Sequence, residues 1–109
     1  MPEPWGLSAG RVAMELLSER HRQMRDEGWS TEHDDAHTGG ELASAAATYT
    51  LGAVFSNVLE RHFMRYWPWE RSWWKPKDPR RDLVRAGALV IAEIERLDRA
   101  AAKVREPGA

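Results

Sequence analysis

The chain has 109 residues, which is enough for one hydrophobic core and too few for two. Its net charge of −1, with 30% charged and 42% hydrophobic residues, excludes a global basic field for nucleic acid. Cysteine is absent, which excludes a disulfide framework and zinc held by thiolates. No stretch approaches the roughly 18 apolar residues of a membrane span, and the first residues do not resemble a secretion signal, so we expect a cytoplasmic protein with no membrane contact.

The first predicted helix covers residues 9–27. Ser8 is placed to cap its N-terminus, because a serine side chain can accept a hydrogen bond from a free backbone N–H. Leu16 and Leu17 belong to an apolar face that lies opposite a charged one, as is typical of an amphipathic helix. Gly28 follows as the predicted stop.

The second predicted helix covers residues 39–64 and follows a loop that we assign to residues 28–40. Thr38 and Glu41 have the spacing of a capping box, in which each side chain satisfies a free backbone N–H. The helix is either continuous or broken near Gly52, because the apolar pattern restarts after that glycine. One bent helix and two short ones fit the pattern equally well.

An irregular segment rich in tryptophan and proline precedes the last predicted helix, at residues 79–104. Four of the six tryptophans lie between Trp67 and Trp74, and this density is the strongest local signal in the sequence. Asp78 is placed to cap the last helix, with Pro79 at its first position, where a missing N–H costs nothing. The apolar stripe of this helix comprises Leu83, Gly87, Val90, Ile91, Ile94, Leu97 and Ala101.

Together these elements predict an all-α fold, a small bundle of three long or four shorter helices with a Trp/Pro-rich loop before the last one. The whole chain, residues 1–109, forms a single domain, and its ends at 1–6 and 105–109 are expected to fray. The side chains expected to be buried are Leu16, Leu17, Leu42, Ala46, Leu83, Val90, Ile91 and Ile94.

The two loops carry opposite charge. Residues 26–35 contain five acidic side chains and no lysine or arginine, whereas residues 65–81 contain six basic side chains against two acidic ones. We expect the loops to meet at one end of the bundle, either as a structural cap filled by tryptophans or as a pocket that stacks a planar ring and holds phosphate. The candidate ligand-binding residues are Arg22, Trp29, His33, Asp34, Asp35, His37, Tyr49, Trp67, Trp69, Trp73, Trp74, Lys75, Arg80 and Arg81.

The sequence contains no convincing catalytic arrangement. His33 and His37 flank two aspartates, a set that suits a transition metal, but the same residues also fit a polar loop beside a helix cap. A metal-dependent nucleotide phosphohydrolase is an alternative. Either His21 and Asp82 complete a histidine–aspartate site, or acidic pairs on the helices, Glu15 with Glu19 and Glu95 with Asp98, hold Mg²⁺. We expect no bound metal or other cofactor and no catalytic residue.

Two binding alternatives involve macromolecules. Aromatic side chains interleaved with Arg and Lys can bind single-stranded nucleic acid, but the neutral-to-acidic remainder of the chain makes that partner unfavourable. Trp and Arg are also common anchors of protein interfaces, so a host protein bound through the tryptophan loop is the main rival to a small molecule. The sequence leaves the oligomeric state open, a homo-oligomer included.

Most of the chain resembles a group of short phage- and prophage-encoded proteins of unknown function. The shared pattern is Glu19-Arg20, Arg22-Gln23, Glu27-Gly28-Trp29, Glu32-His33-Asp34-Asp35, His37, Glu41-Leu42, Ala45-Ala46, Tyr49, Trp67-Pro68-Trp69, Trp73-Trp74-Lys75-Pro76, Pro79-Arg80-Arg81-Asp82-Leu83-Val84 and Glu93-Ile94-Glu95-Arg96. The resemblance implies a phage or prophage source and a bacterial host cell, and it implies no particular activity.

A second, shorter resemblance lies within residues 25–49. Its residues, Arg25, Gly28-Trp29, Asp34-Asp35, His37, Leu42 and Tyr49, are similar to the core of the ryanodine-receptor repeat domain. That resemblance implies a small helical domain and an adenine nucleotide or nucleotide-derived ligand. Together with the phage resemblance, it gives the expected function: a non-catalytic phage accessory protein that binds such a molecule and sequesters a host signal.

Overall fold

The structure, a computed structural model, describes residues 6–55 and 60–105. Within these ranges it contains helices and no strands, with single 3-10 turns at Met64–Tyr66 and Arg71–Trp73, and the predicted all-α class is confirmed. The helices are α1 (Leu7–Asp26), α2 (Thr31–Ala36), α3 (Glu41–Phe55), α4 (Glu60–Phe63) and α5 (Pro79–Arg105). None of the helices in the described ranges is both long enough and apolar enough to cross a bilayer.

Helix α5 is the centre of the fold and packs against α3 and, less extensively, against α1. Alanines occur on both sides of the α3–α5 interface, so the two helices can approach closely. The core consists of Trp29, Leu42, Ala45, Ala46, Tyr49, Trp67, Ala86, Leu89 and Ala92. Because two core tryptophans come from the loops, those loops close one region of the bundle.

Helix α1 has nearly the predicted extent, but its start differs from the prediction. It begins at Leu7, directly after Gly6, so Ser8 lies inside the first turn and does not cap the helix. The predicted stop at Gly28 is confirmed. Its φ of 74° lies in the left-handed region that glycine adopts without strain, and the chain then turns so that Trp29 N–H donates to the Gln23 carbonyl at 3.2 Å.

The segment predicted as a loop, residues 28–40, contains the short helix α2. Ser30 caps this helix, because its hydroxyl accepts a hydrogen bond from His33 N–H at 3.1 Å. The predicted capping box is wrong for a geometric reason. Helix α3 begins at Glu41, so this side chain occupies the first helical position, whereas a capping box needs it at the third.

The second predicted helix is shorter than residues 39–64. Helix α3 passes through Gly52 without a break and is described to Phe55. Residues 56–59 of the prediction lie outside the described residues, and after them α4 runs only to Phe63. Gly52 serves packing instead, because an added Cβ would lie 3.3 Å from the Trp74 ring.

The last helix and its cap are confirmed. Helix α5 begins at Pro79, and the Asp78 carboxylate accepts a hydrogen bond from Arg81 N–H at 2.8 Å. The helix is described to Arg105, and residues 1–5 and 106–109, where fraying was expected, lie outside the described residues.

The predicted core is correct for α3 and partly wrong for α1 and α5. Leu42 and Ala46 are buried, and Leu16 and Ile91 are half-buried. In contrast, four predicted core residues are exposed: Leu17 (47%), Leu83 (49%), Val90 (45%) and Ile94 (53%). The physical reason is that α5 turns its alanine-rich face with Leu89 toward α3, which leaves the more obvious apolar stripe outside the core.

Candidate functional site

The two loops meet where the end of α1, helix α2 and the tryptophan loop (residues 66–77) come together. The Trp29 and Trp69 ring centroids are 5.4 Å apart, and those of His33 and Trp69 are 6.2 Å apart, which confirms the predicted meeting of the loops. Between them lies a cavity of about 270 Å³, which we call the aromatic pocket. Its lining residues are Glu27, Trp29, His33, His37, Trp69, Glu70 and Trp73.

Flat rings form most of the pocket wall. Trp29 and His33 are stacked, with centroids 6.1 Å apart and planes 8° from parallel. The His37 ring lies 4.4 Å from His33 and meets Trp69 edge-on at 5.5 Å. Trp73 is 41% exposed, so it presents a large part of its indole to solvent and to any ligand. The wall therefore offers both faces and edges for contact with a planar group.

Hydrogen bonds fix the proton positions of both pocket histidines in their neutral forms. His33 Nδ1 lies 3.1 Å from the Asp34 carboxylate, and His37 Nδ1 lies 2.7 Å from the His33 carbonyl oxygen. Carboxylate and carbonyl oxygens only accept, so each Nδ1 carries the hydrogen and each Nε2 is an acceptor. Neither Nε2 has a protein hydrogen-bond partner within residues 6–55 and 60–105. Both nitrogens can therefore accept from a donor in the pocket.

Asp34 holds His33 through the hydrogen bond to Nδ1 and does not line the pocket itself. Its side chain is fully buried, and Oδ2 accepts from the Arg20 guanidinium at 2.6 Å. Arg20 also donates to the Trp29 carbonyl oxygen at 3.3 Å, so the same guanidinium holds both ends of the turn that carries Trp29 and His33. Asp34 was predicted to touch a ligand. Its burial gives it a positioning role instead.

Two carboxylates and one ammonium complete the site. Glu27 and Glu70 line the pocket, and the Glu27 side chain is only 14% exposed. Lys75 Nζ lies 3.9 Å from Glu27 Oε2 and 5.3 Å from the Trp73 ring centroid, where it forms a cation–π contact. Glu27 Oε1 also accepts from Arg22 at 3.2 Å, so the pocket combines several acceptors with two cations beside Glu27.

The predicted arginines and Asp35 form internal ion pairs and do not line the pocket themselves, although Arg22 binds the lining residue Glu27. Arg22 donates to Glu19 at 2.8 Å and to Glu27 at 3.2 Å, whereas Arg81 pairs with Glu19. Arg80 donates a hydrogen bond of 2.7 Å to each carboxylate oxygen of Glu15, and these bonds lower the pKa of Glu15. Arg99 binds Asp35 at 2.8 Å and lowers the pKa of Asp35 by hydrogen bonding.

Tyr49, Trp67 and Trp74 belong to the core rather than to the pocket lining. Tyr49 packs against Trp74 at 4.6 Å and meets Trp67 edge-on at 5.6 Å. Burial raises the pKa of the Tyr49 hydroxyl, as expected for a phenol surrounded by rings. Three of the six predicted tryptophan and tyrosine residues are therefore part of the core. The other three, Trp29, Trp69 and Trp73, line the pocket.

Three residues of the site and its support were not predicted from the sequence: Glu27, Glu70 and Arg20. The two glutamates were counted only as loop charge, although Glu27 directly precedes the Gly28 stop and its position near Trp29 was implied by that turn. Arg20 lies on the buried face of α1, where an arginine needs an acidic partner, but one sequence does not reveal which aspartate it meets. Within residues 6–55 and 60–105, no three imidazole or carboxylate groups come together as metal ligands.

Comparisons with known proteins assign no family to the chain. No family model, no curated protein and no solved structure matches it. A fold class such as a small helical bundle does not by itself imply a function. Function is therefore inferred from the chemistry of the aromatic pocket.

Proposed function

We propose that the protein binds a nucleotide or nucleotide-derived small molecule in the aromatic pocket without transforming it. The observation that carries this proposal is the combination of stacked rings and hydrogen-bond acceptors around a cavity of about 270 Å³. Ligand pockets commonly have volumes of about 300–1,000 Å³, so this one suits the base and sugar of one nucleoside rather than a larger molecule.

The polar groups of the pocket match the donors of a nucleoside. The Nε2 atoms of His33 and His37 and the Glu27 carboxylate can accept from exocyclic amino groups or ribose hydroxyls. The indole of Trp73 can stack on the base, an interaction that every nucleobase supports. Three basic residues were expected to contact phosphate: Lys75, Arg80 and Arg81. Of these, Lys75 lies beside the pocket, whereas both arginines are paired with glutamates of α1, so we assign the phosphate contact to Lys75.

Binding is favoured over metal-dependent hydrolysis because three of the four acidic residues nominated for Mg²⁺, Glu15, Glu19 and Glu95, already have cationic partners. Glu15 is held by Arg80, and Glu95 Oε1 accepts from Arg20 at 3.3 Å. A divalent ion would have to displace these guanidinium groups. Together with the resemblance to phage proteins, binding without turnover supports sequestration of a host signalling nucleotide as the physiological role.

A fluorescence and calorimetry screen of nucleosides, mono-, di- and cyclic nucleotides, NAD and ADP-ribose derivatives tests this proposal. We expect one class to quench tryptophan emission and to be recovered unchanged by mass spectrometry. Recovery of a chemically altered ligand would contradict non-catalytic binding, and absence of binding across the whole screen would contradict the ligand class.

Variants of the tryptophan loop locate the binding site. Trp73→Ala should weaken binding by roughly 5- to 150-fold, the equivalent of about 1–3 kcal/mol for one stacked base. Tyr66→Ala is the matched control, because Tyr66 is an equally exposed aromatic of the same loop (47%) that does not line the pocket. Lys75→Ala should weaken binding of phosphorylated ligands but not of the parent nucleoside, whereas Arg81→Ala should affect neither.

The rival function is docking to a host protein through the tryptophan loop. Trp73 supports it, because an indole that is 41% exposed beside Lys75 resembles an interface anchor. Capture of a host protein that depends on Trp73, combined with no small-molecule effect on tryptophan emission, would favour this alternative. Salt-sensitive binding of single-stranded DNA without small-molecule binding would instead favour nucleic acid.

A further inference from the structure

The carboxylates that line the aromatic pocket give it a negative character. Glu27 and Glu70 are lining residues, and no lysine or arginine belongs to the lining in the described part of the chain. Glu27 is already balanced, because Arg22 donates to its Oε1 at 3.2 Å and Lys75 Nζ lies 3.9 Å from its Oε2. Glu70 is exposed and forms no ion pair with any residue of 6–55 or 60–105. Its charge is therefore available to a ligand.

The tryptophans of the pocket also attract positive charge. The face of an indole ring carries negative potential, and tryptophan binds cations more strongly than the other aromatic side chains do. Trp29, Trp69 and Trp73 all line the pocket. The Trp73 ring already attracts one cation, because Lys75 Nζ lies 5.3 Å from its centroid. A flat ligand with a delocalised positive charge would interact with these rings through both stacking and charge.

We propose that the aromatic pocket selects a nucleoside or mononucleotide whose base is a positively charged pyridinium ring, as in nicotinamide riboside and its phosphate. This inference rests on the proposed function, because it names the class of nucleotide that the same pocket binds. A neutral base gains stacking alone, whereas a pyridinium ring also gains attraction from the indoles and from Glu70. The cavity of about 270 Å³ is small for a ligand site, which favours a single ring over a fused purine.

The polar groups of such a ligand have matching partners at the pocket. The Nε2 atoms of His33 and His37 are acceptors, and the carboxamide of nicotinamide supplies N–H donors. In their neutral forms the two imidazoles add no positive charge that would repel the ring. The Lys75 side chain is 57% exposed, so its ammonium group can leave Glu27 and bind a phosphate of the ligand.

Two ligands that differ in charge but not in shape test the proposal. Nicotinamide riboside carries a ring cation, and benzamide riboside is its neutral isostere, in which carbon replaces the ring nitrogen. Isothermal titration calorimetry of the full chain with each riboside gives the ratio of the two dissociation constants. We expect nicotinamide riboside to bind about 3- to 30-fold more tightly, the range between an exposed and a desolvated cation–π contact.

A variant of Glu70 tests whether the pocket carboxylate contributes to this preference. Glu70→Gln removes one negative charge and preserves the size of the side chain, so it should reduce the preference by about 2- to 5-fold, the range of an exposed ion pair. Binding of benzamide riboside should stay the same. Glu32→Gln is the matched control and should leave the ratio unchanged, because Glu32 is an exposed glutamate of α2 that does not line the pocket.

The results that contradict this inference differ from those that contradict the proposed function. Equal binding of the two ribosides, or tighter binding of benzamide riboside, would overturn the preference for a cation and leave nucleoside binding in place. A preference that Glu70→Gln reduces no more than Glu32→Gln does would overturn the assignment of the preference to this pocket. Absence of binding by every nucleoside and nucleotide tested would contradict the proposed function and this inference with it.

Discussion

At the scale of single residues, the Arg20–Asp34 ion pair connects the stability of the fold to the shape of the pocket. Their side chains are 6% and 0% exposed, so both charges have left water and depend on each other. Asp34 also holds His33 Nδ1, and Arg20 holds the Trp29 carbonyl. Loss of this pair therefore removes the support of two pocket walls as well as folding energy.

We predict that Arg20→Met lowers the free energy of unfolding by about 3–5 kcal/mol, because it leaves the Asp34 carboxylate buried without its cation. Arg25→Met is the control, since the Arg25 side chain is 72% exposed and its pair with Asp26 lies at the surface. That change should cost less than about 1 kcal/mol, the usual limit for a surface pair. Urea denaturation of both variants measures the difference, and equal losses would contradict the assigned role of Arg20.

The ion pairs of Glu19 should make part of the free energy of unfolding sensitive to acid. Burial raises the pKa of this carboxyl, but hydrogen bonds and charge from Arg22 and Arg81 outweigh burial and hold it below the ordinary value of 4.5. A carboxyl with a lower pKa in the folded state stabilises the fold fully above its unfolded pKa, and this contribution is lost as the pH falls through the folded value. Glu19→Gln should destabilise the protein by about 1.5–3 kcal/mol at pH 7. The difference between variant and wild type should shrink as the pH falls below 4.5 and through the lower folded pKa of Glu19. A pH-independent difference between variant and wild type would contradict this assignment.

At the scale of elements, the strong local signals predicted the helices well. Gly28 ended α1 and Asp78 capped α5 as expected, because both effects depend on the backbone within one turn. The short helix α2 was not predicted because six residues are too few to show a helical apolar pattern. Ser30 is nevertheless a residue type that commonly caps a helix. The Thr38–Glu41 box failed because α3 starts directly after Gly40, which has a φ of 85°.

The cap of α5 gives the sharpest prediction for an element. Asp78→Ala should lower the free energy of unfolding by about 1 kcal/mol, because it removes the acceptor of Arg81 N–H. Asp78→Asn is the matched control and should retain most of the stability, since asparagine caps about as well as aspartate. Chemical denaturation of the two variants provides the comparison. If Asp78→Ala and Asp78→Asn lower the free energy of unfolding equally, the side-chain cap does not contribute to stability.

At the scale of the whole molecule, the meeting of the loops could be predicted from the sequence. Which loop residues line the pocket and which belong to the core could not. Opposite charge and shared aromatic area correctly predicted that Trp29 would approach Trp69. The same reasoning did not separate Trp73, at the pocket, from Trp74, which packs on Tyr49 and Phe63. Neighbours in sequence point to different sides of an irregular segment, and only the three-dimensional path of the backbone decides which side each one takes.

The apolar stripe of α5 is a second feature whose surroundings could not be predicted from the sequence. Its pattern predicted burial, yet the fold of one chain buries the alanine-rich side around Leu89 instead. Small side chains allow α3 and α5 to pack closely, and this close packing does not appear in a search for large apolar residues.

The central claim, that the aromatic pocket holds the ligand, is tested most directly by nuclear magnetic resonance of the tryptophan indole N–H groups. Once a ligand is found, its titration should shift the Trp69 and Trp73 signals, which belong to the pocket lining, and leave Trp74, which lies outside it, nearly unchanged. Assignment through single Trp→Phe variants identifies each signal. A saturating ligand that shifts Trp74 and leaves Trp69 and Trp73 in place would contradict the account.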